Sequence, residues 1–403
     1  MVWVSQLSLV NFRNYQELTL ELPAGLTIIT GQNGQGKTNL LEALTLLSHL
    51  RSPRTHHDAD LIYQPPPNSD TPPTQAGVRA TVVKQTTPDT PLSLALRWRK
   101  QPHHGWATQA SLGGQPVKSR SQLLGHFPTV AFTTADLAML KGTPTGRRQW
   151  WDAATAQWQP QHLPHLMLAN RLLKQKRSHL AHDTDPNSDV LYVLNQQLAQ
   201  AMAQVTHGRL AYLAALAGQV HAALTTLGGA IEAELAWHVK QSGGDSAWPT
   251  ALPELAQWPV EQWEQALTQR LALVASRECV QQQCVVGHHR HDWVADYTAT
   301  GLASHKFGSQ GQQRSLVLAL KLAERALLTQ RWGEPPVLLM DDVMAELDTE
   351  RQAQLLQAVG NQGQVLLTTT HLEERLANQL TAVFGSQAVG QQLVVEAGCV
   401  QPY

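Results

Sequence analysis

Alternating apolar and polar positions open the chain. Val2–Leu9 and Glu17–Leu22 both alternate in this way, which is typical of half-buried strands. The turn-like segment Asn11–Tyr15 lies between them, so we predict a hairpin. Gly25–Thr30 then reads as a buried strand, and Asn39–Leu47 repeats apolar residues at helical spacing. The pattern predicts a hairpin, a buried strand and a helix, in that order.

A proline-rich stretch interrupts this first region. Gln64–Gln75 carries repeated prolines, which remove backbone donors, so we predict a mobile surface loop there. Val78–Val83 and Leu92–Trp98 return to β-like patterning. We therefore predict a small antiparallel sheet that continues to about Val130.

The middle of the chain changes to helical periodicity. Leu163–Lys176 and Val190–Leu227 are rich in Ala, Leu and Gln, with apolar residues at helical intervals. Breaks are predicted near Pro186 and at Gly228-Gly229. This region predicts a helical arm inserted into another fold, whose two ends meet in space. The predicted domains are residues 1–146 and 287–403, which form the two parts of one lobe, and residues 147–286, which form the arm.

A capped helix and two apolar strands follow the arm. Ser309–Arg314 opens a helix with a hydroxyl residue at its N-terminus. Val337–Met340 is an apolar strand that ends in Asp341 and Asp342, and Val365–Thr369 is another strand. A parallel strand would deliver the two carboxylates to the edge of the sheet where ligands bind.

Candidate chemistry enters with the loop between the buried strand and the first helix. Gly31-Gln-Asn-Gly-Gln-Gly-Lys-Thr38 fits G-x-x-x-x-G-K-[ST], in which backbone N–H groups surround phosphates, a lysine reaches the β/γ-phosphates and a hydroxyl coordinates Mg²⁺. The strand before it and the helix after it supply the context that this motif requires. The predicted nucleotide-binding residues are Gly31, Gln32, Asn33, Gly34, Gln35, Gly36, Lys37, Thr38 and Asn39, with Lys37 also acting in catalysis.

The two aspartates at the end of the later strand complete the predicted site. Asp341 is expected to order Mg²⁺ together with Thr38, directly or through water. Asp342 is the candidate to polarise the attacking water. Glu346 is the alternative candidate, and the residues alone leave this choice open.

Composition sets modest bounds on the fold and on its partners. A chain of 403 residues exceeds what one hydrophobic core usually serves, so two lobes are expected. The formal net charge of −1 gives no global basic signature, and any nucleic-acid surface must therefore be a local patch. Charge alone neither supports nor excludes such a partner.

Cysteine usage and hydropathy indicate the compartment. Cys279, Cys284 and Cys399 include no C-x-x-C pair, and the start of the chain lacks the features of a secretion signal. No apolar run approaches the roughly 20 residues of a membrane helix. We expect reduced thiols and a soluble, cytoplasmic protein without a structural zinc site.

The order of these motifs resembles that of ABC-type ATPases: phosphate loop, long insertion, S-x-G-x-x-R helix, apolar strand ending in two aspartates, then Ala345-Glu-Leu-Asp348 and a strand leading to His371. The resemblance implies an α/β fold, an ABC-type P-loop ATPase head with mixed sheets and an inserted helical arm. It also implies that the serine-glycine helix of one subunit covers ATP held by another, so ATP joins a homodimer. The residues carried over are Ser309, Gln310, Gly311, Gln312 and Arg314 for the in-trans signature, and Glu346, Asp348 and His371 for the D-loop and switch.

Within this class the chain resembles the RecF family of bacterial recombination and gap-repair proteins. The resemblance spans nearly the whole length and includes Leu9–Tyr15, Gly31–Ala43 and Lys306–Asp348. The most discriminating segment is Asp136–Arg148, with its D-L-x-x-L-x-G-x-P-x-x-R-R pattern followed by Asp152. One departure stands at 287–292, where G-H-H-R-H-D replaces the family's G-P-H-R-D-D, so that His288 and His291 do not match.

The family resemblance implies a switch more than a metabolic enzyme. An ATP-driven dimer would bind single- and double-stranded DNA at gap junctions and, with RecR and RecO, assist RecA loading and the SOS response. ATP and Mg²⁺ are the implied cofactors, and any ATPase activity would be weak and DNA-stimulated. Several basic residues are candidates for contacts to DNA phosphates, although solvated helix faces would carry the same residues. They are Arg97, Arg99, Lys100, Lys118, Arg120, Arg171, Lys174, Lys176 and Arg177.

Two other classes share parts of the pattern. The ATPase subunit of an ABC transporter has the same nucleotide motifs but needs only a short helical insertion. An SMC- or Rad50-like chromosome protein needs coiled coils hundreds of residues long or a cysteine hook, neither of which the sequence carries. The long arm argues against the transporter, and its limited length argues against the chromosome protein.

Overall fold

The computed structural model divides the chain into two compact units. The first consists of Met1–Asp136, Thr226–Gly228 and Leu318–Tyr403, and the second of Leu137–Thr225 and Gly229–Val317. Parts of the predicted loop Gln64–Gln75, the predicted break at Gly228-Gly229 and Lys306 lie outside the residues described. The structure describes residues 1–65, 72–102, 105–227, 235–241, 251–298, 302–304, 309–386 and 392–402.

The strands are numbered along the chain. They are β1 (Val2–Phe12), β2 (Tyr15–Glu21), β3 (Leu26–Thr30), β4 (Gln75–Lys84), β5 (Thr87–Gln101), β6 (Gly105–Leu112), β7 (Gln115–Pro116), β8 (Thr129–Thr133), β9 (Leu235–Gln241), β10 (His291–Tyr297), β11 (Leu302–Ala303), β12 (Val337–Asp341), β13 (Val365–Thr369), β14 (Gln392–Glu396) and β15 (Cys399–Pro402).

The α-helices follow the same convention. They are α1 (Lys37–His49), α2 (Leu137–Lys141), α3 (Pro144–Trp158), α4 (His162–Leu180), α5 (Asp189–Thr226), α6 (Leu252–Leu255), α7 (Val260–Gln281), α8 (Gln310–Trp332), α9 (Thr349–Val359) and α10 (Glu374–Phe384). None of the helices in the described residues is long and apolar enough to cross a membrane.

An antiparallel sheet opens the first unit, with strand order β2-β1-β4-β5-β6-β7. The predicted hairpin is confirmed, since β1 and β2 pair antiparallel around the turn at Arg13 and Asn14. One face of this sheet carries buried apolar side chains, such as Leu7, Val78 and Trp98. The sheet ends with β7, earlier than the predicted limit near Val130.

A mixed sheet carries the later strands of the first unit, in the order β15-β14-β3-β13-β12-β8. The five strands from β14 to β8 are parallel to their neighbours, and β15 returns antiparallel to β14. The placement of Val130 in the antiparallel sheet was therefore wrong, because Thr129–Thr133 pairs with Val337–Asp341 in this second sheet. The strands of its centre are buried on both faces and read as continuous apolar runs.

One buried glutamine joins the two sheets of the first unit. The side chain of Gln364 accepts a hydrogen bond from the backbone N–H of Val4 at 2.8 Å and donates to Val4 O and Pro23 O, both at 2.9 Å. Gln364 is fully buried, so its amide is satisfied by backbone groups instead of water. This contact fixes β1 against the start of β13.

The second unit is mainly helical. Its longest helix, α5, has 38 residues, and α4 and α7 have 19 and 22. A three-stranded sheet in the order β11-β10-β9 accompanies them. Strand β9 was not predicted, although Trp237 and Val239 alternate with polar neighbours, because it is a single short run among long helical segments.

Candidate nucleotide-binding site

The phosphate loop lies between β3 and α1 in the first unit. Gly31 and Gly36 have φ values of 150° and 121°, which side chains rarely adopt. A Cβ atom on Gly31 would lie 2.3 Å from Val395 O, and one on Gly36 would lie 2.5 Å from Asn14 Nδ2. Only glycine fits these two positions, which explains the spacing seen in the sequence.

Lys37 begins α1 and turns its ammonium group back onto the loop. Nζ donates to Gly31 O at 2.6 Å and to Gln32 O at 3.2 Å, and the residue is only 4% exposed. Gly36 occupies the N-cap position, and no side chain from the described residues caps the helix there. The helix N-terminus, with its backbone N–H groups and the lysine charge, suits an anion.

Asp341 is the acidic side chain that the fold brings to this loop. Asp341 Oδ1 accepts hydrogen bonds from Thr38 Oγ1 at 3.0 Å and from Thr368 Oγ1 at 2.8 Å. The contact follows from topology, because β12 and β13 are adjacent parallel strands and pair Asp341 with Thr368. The predicted partners Thr38 and Asp341 therefore meet, although 303 positions separate them in sequence.

Burial is the largest influence on the Asp341 carboxyl group and raises its pKa. The hydrogen bonds from Thr368 and Thr38 and the charge of Lys37 lower the pKa, whereas the charge of Asp342 raises it. The net pKa of Asp341 is raised. A half-buried carboxylate that receives only neutral hydroxyl donors is suited to a cation as its partner.

Asp342 stands one residue further along the same edge. Its φ of 51° is left-handed, which is uncommon for a residue other than glycine, and its backbone N–H donates to Thr368 Oγ1 at 2.9 Å. This bond holds the backbone conformation that follows the strand. Glu346, the alternative candidate, ends the 3₁₀ turn Val343–Glu346 and is exposed.

The remaining predicted switch residues make local contacts. Asp348 caps α9 by accepting the backbone N–H of Arg351 at 2.9 Å. His371 is exposed, and its Nε2 lies 3.6 Å from Glu373 Oε1. Among the described residues, no hydrogen bond or ion pair joins Asp348 or His371 to the phosphate loop.

The predicted signature residues lie at the start of α8, in the second unit. Ser309 Oγ accepts the backbone N–H of Gln312 at 3.2 Å, and Gln312 Oε1 accepts that of Ser309 at 2.8 Å, which forms a capping box. Ser309, Gln310 and Gln312 are exposed, and Gly311 and Arg314 are partly exposed.

Sequence reasoning missed a support beneath the loop. Asn14 Nδ2 donates to Gln35 O at 2.8 Å, and Asn14 Oδ1 accepts from Asn39 Nδ2 at 2.8 Å. The hydroxyl of Tyr15 donates to Gly36 O at 3.0 Å, and burial raises the pKa of Tyr15. The N-F-R-N-Y segment of the first hairpin was the available signal, and its role is to hold the loop from one side.

A second support fixes helix α1. Arg13 binds Glu42 through two nitrogens, Nε at 2.9 Å and Nη2 at 2.6 Å, and Ser52 Oγ donates to the same carboxylate at 2.5 Å. Glu42 is 2% exposed, so this paired geometry compensates the burial of its charge.

In the second unit, Arg147 of the Asp136–Arg148 pattern and the nearby Asp152 form ion pairs. Arg147 binds Asp292 through Nε and Nη2, both at 2.7 Å, and Arg209 binds Asp152 in the same way, both at 2.8 Å. His162 Nε2 lies 3.0 Å from the same Asp152 carboxylate. Arg147 therefore makes a structural contact to the segment 287–292.

The two histidines that depart from the family pattern are buried. His288 O accepts from Arg209 Nη1 at 2.7 Å, and His288 Nε2 lies 2.9 Å from Asn170 Oδ1. Burial, followed by the charge of Arg209, lowers the pKa of His288 to about 3 and that of His291 well below its ordinary value. Both rings are neutral packing groups at physiological pH.

The basic residues predicted to contact DNA phosphates differ in exposure. Lys176 is fully buried, with Nζ 2.5 Å from Glu278 Oε2, so its prediction as a phosphate contact was wrong. Glu278 Oε1 also accepts the backbone N–H of Val285 at 2.7 Å. The other candidates are exposed: Arg97, Arg99, Lys100, Lys118, Arg120, Arg171, Lys174 and Arg177.

The sequence of this chain is similar to those of known proteins. The model of the RecF/RecN/SMC N terminal domain matches residues 3–393. The DNA replication and repair protein RecF of Cyanothece sp. is 36% identical over 377 residues, which cover 92% of each chain. That of Acaryochloris marina is 36% identical over 410 residues, which cover 99% of each chain.

Solved structures are also similar to this chain. The recombination mediator protein RecF-ATP in the RecFOR pathway has a TM-score of 0.81 at 26% identity, over 100% of this chain and 98% of that chain. An SMC head bound to the C-winged helix domain of ScpA has a TM-score of 0.50 at 14% identity, over 99% of this chain and 96% of that chain, which shows a shared fold alone.

Proposed function

The chain belongs to the RecF/RecN/SMC N-terminal domain family, and from that premise we propose that it is an ATP-dependent DNA-binding protein of recombinational gap repair and replication. The family resemblance and the fold class, an ABC-type ATPase head with mixed sheets and a helical insertion, are confirmed. The observation that carries the proposal is the contact of Thr38 and Asp341 beside the Gly31–Thr38 loop.

ATP is the proposed nucleotide, with Mg²⁺ as its cation. The Thr38 hydroxyl and the Asp341 carboxylate are oxygen ligands of the kind that Mg²⁺ takes, and they lie 3.0 Å apart. A bound Mg²⁺ would neutralise charge on the phosphate oxygens. Lys37 would bind the β/γ-phosphates, and the backbone N–H groups of the loop would surround them. A relative of 26% identity, RecF-ATP, carries ATP by name, which supports this assignment.

Hydrolysis is proposed to be slow and to reset a switch. Asp342 follows Asp341 directly and has a backbone hydrogen bond to Thr368, so its carboxylate projects from a fixed point at the edge of the sheet. It is our candidate to polarise the attacking water, with Glu346 as the alternative. Lys37 would stabilise charge on the phosphates during the reaction.

ATP-dependent dimerisation is proposed through the start of α8. Ser309, Gln310 and Gln312 are exposed, so they are available to a second copy of the chain. The capping box holds Ser309 at the start of the helix, and its backbone carbonyl accepts the N–H of Gln313 at 2.9 Å. Ser309, Gln310, Gly311, Gln312 and Arg314 would contact the nucleotide held by the partner, with Asp348 and His371 near the seam.

DNA is proposed to bind partly through the outer face of the antiparallel sheet. Arg79 pairs with Ala95, so the two residues share a face of the sheet. Side chains on a strand return to the same face every two residues, so Arg97 and Arg99 also lie on that face. All three are exposed, and the arginine ion pairs found among the described residues do not include them. Unpaired arginines on an exposed face suit a phosphate backbone.

The proposed partners are single- and double-stranded DNA at gap junctions, RecR and RecO, and RecA indirectly. One solved relative is described as a recombination mediator of the RecFOR pathway, and 36%-identical relatives as DNA replication and repair proteins. Assistance to RecA loading and to the SOS response, and a cytoplasmic location, belong to the same proposal.

Binding to gapped DNA at moderate salt, with and without ATP, tests the function. The parent chain should form dimers and retain DNA only with ATP. Ser309→Arg should leave ATP binding by the monomer nearly unchanged but abolish both the dimer and ATP-dependent DNA retention, because it places bulk and charge at the seam. Ser276→Arg, on an exposed position of α7, is the matched control and should behave like the parent.

The contrary result is equally definite. If Ser309→Arg dimerises with ATP and binds gapped DNA like the parent, the in-trans role of this helix is wrong. If the parent binds gapped DNA equally with and without ATP, the switch itself is wrong. A second arm replaces Arg97 and Arg99 by Ala, which should weaken DNA binding and reduce its salt dependence while ATP-dependent dimerisation persists.

A further inference from the structure

A turn near the end of the chain lies against the phosphate loop. Ala397 and Gly398 connect β14 to β15 as a two-residue hairpin, in which Glu396 pairs with Cys399. The backbone N–H of Ala397 donates to Gln35 Oε1 at 2.5 Å, and that of Gly398 donates to Gln35 O at 3.3 Å. Gln35 thus receives both donors of the turn, although it lies 362 positions earlier in the chain.

Strand β14 also sets the path by which the loop leaves β3. Residues 392–394 of β14 run parallel to β3 in the sheet. Beyond that pairing, Val395 O lies so close to Gly31 that a Cβ there would be 2.3 Å away. The first glycine of the loop therefore rests on the backbone of β14, and Gln35 is held by the turn that follows it.

The other side of Gln35 is held by the first hairpin. Gln35 O accepts from Asn14 Nδ2 at 2.8 Å in addition to the Gly398 N–H. The turn itself packs on the same residue, since a Cβ on Gly398 would lie 2.7 Å from Asn14 O. Two hairpins from opposite ends of the chain therefore fix one peptide of the phosphate loop.

The turn holds an unfavourable backbone conformation. Ala397 and Gly398 have φ values of 47° and 77°, and a left-handed conformation costs a residue with a Cβ roughly 1–2 kcal/mol. Hairpins with both central residues left-handed prefer Asn or Gly at the first position. Strained backbone of this kind persists where surrounding contacts determine it, and here the contacts are those to Gln35.

We propose that the Ala397-Gly398 turn is a positioning element of the nucleotide site. By holding Gln35, it keeps the backbone of the phosphate loop in the conformation that surrounds phosphate, although no atom of the turn belongs to the Gly31–Thr38 motif. A change confined to this turn weakens ATP binding. The inference rests on the proposed nucleotide-binding function and deepens it, because it assigns loop geometry to the C-terminal hairpin.

The test is calorimetric titration of ATP with Mg²⁺ into the full chain and into Gly398→Ala. The added methyl group meets Asn14 O and displaces the turn from Gln35. We expect ATP affinity to fall about threefold to tenfold, which corresponds to the loss of one hydrogen bond. A purely structural role would lower the melting temperature of the free protein and leave the affinity of the folded fraction unchanged.

The chain offers a matched control in a second hairpin. Gly113 and Gly114 join β6 to β7 with φ values of 58° and 81°, close to those of Ala397 and Gly398. A Cβ on Gly114 would meet no atom within 4 Å. Gly114→Ala therefore imposes the same backbone strain away from the phosphate loop, and it should lower stability while ATP affinity stays at the parent value.

A further variant shows whether the turn acts through Gln35. Gln35→Ala removes the side-chain acceptor without straining the turn, and in combination with Gly398→Ala it should weaken ATP binding less than the sum of the two single effects.

The outcomes separate this inference from the function on which it rests. A parent chain that binds ATP together with a folded Gly398→Ala of equal affinity would overturn the positioning role alone. Equal losses in Gly398→Ala and Gly114→Ala would overturn it as well. A parent chain without measurable affinity for ATP would overturn the proposed function and this inference together.

Discussion

The phosphate loop of the first unit and the helical core of the second unit both bury a lysine, but in opposite surroundings. Lys37 is 4% exposed and, within the part of the chain that the structure describes, donates only to the carbonyl oxygens of Gly31 and Gln32. Lys176 is 0% exposed and faces the Glu278 carboxylate at 2.5 Å. The charge of Lys176 is neutralised by its partner, whereas that of Lys37 remains available for an anion. The partner of a buried charge, and not its burial, separates a binding group from a structural one.

Aspartates of the two units differ in the same way. Asp341 receives two hydroxyl hydrogen bonds, and burial raises its pKa. Asp152 pairs with Arg209 and His162, which lower its pKa although burial opposes the shift. The first carboxylate suits an added cation, and the second already has its counter-charges.

The largest expected effect is on ATP affinity in Lys37→Ala. The ammonium group would make more than one charge-assisted hydrogen bond to phosphate, so its loss should cost roughly 3–6 kcal/mol of binding. The fold should persist, because the hydrogen bonds of Lys37 go to backbone carbonyl oxygens and not to a carboxylate whose charge would be left buried. Calorimetry of ATP binding and a thermal melt measure the two properties, and unchanged affinity would refute the phosphate-loop assignment.

Lys176→Ala should give the opposite result. It leaves Glu278 buried without its counter-charge, which should lower the free energy of unfolding by about 3–5 kcal/mol. ATP affinity of the folded protein should remain near the parent value. Replacing both residues, as in Lys176→Met with Glu278→Gln, removes both charges and keeps an oxygen for the Val285 N–H, so it should recover most of the stability. Urea denaturation of the parent and the two variants would reveal a failure to do so.

Asp342→Asn tests whether an aspartate of the first unit acts in ATP hydrolysis, in contrast to the structural Asp152 of the second unit. The amide cannot accept a proton from water, so single-turnover ATP hydrolysis should slow about 100-fold while ATP binding is retained. Asp152→Asn, in the second unit, should lower stability instead. If hydrolysis in Asp342→Asn equals that of the parent and slows in Glu346→Gln, the base is Glu346.

The smallest expected effect is a pH dependence of stability from the buried histidines. The pKa of His288 falls from 6.5 to about 3 on folding, so the unfolded chain binds the proton first as the pH drops. The contribution of His288 to the free energy of unfolding should be constant above pH 6.5. Below that pH it should lower the free energy of unfolding, by about 1.4 kcal/mol at pH 5.5. His288→Gln should reduce the difference between urea midpoints at pH 7.5 and 5.5, and an unaltered difference would exclude this residue as its source.

The sequence predicted those parts of the site that are contiguous or lie at the end of a strand. Gly31–Thr38 was recognisable because a phosphate loop needs its glycines and lysine at fixed local spacing. Asp341 was predictable because parallel strands deliver their carboxyl ends to one edge. Its contact with Thr38 at 3.0 Å followed from that rule.

Contacts between distant segments were not predictable in this way. Asn14 and the Ala397-Gly398 turn meet Gln35 only because two hairpins from opposite ends of the chain converge, and no local pattern encodes that meeting. Lys176 was assigned to a basic surface because helical spacing shows which residues share a face but not which face is covered. Strand β9 was missed because a single short strand needs the register of β10 to identify it.

The most direct measurement is the dependence of ATP affinity on Mg²⁺ in the parent chain and in Asp341→Asn, titrated with MgCl₂ and with EDTA. If the Thr38–Asp341 contact marks the cation position of a nucleotide site, the parent should bind ATP more tightly with Mg²⁺, and Asp341→Asn should bind it with similar affinity under both conditions. A parent that shows no Mg²⁺ dependence, or an Asp341→Asn variant that keeps the full dependence, would contradict the assignment of this site.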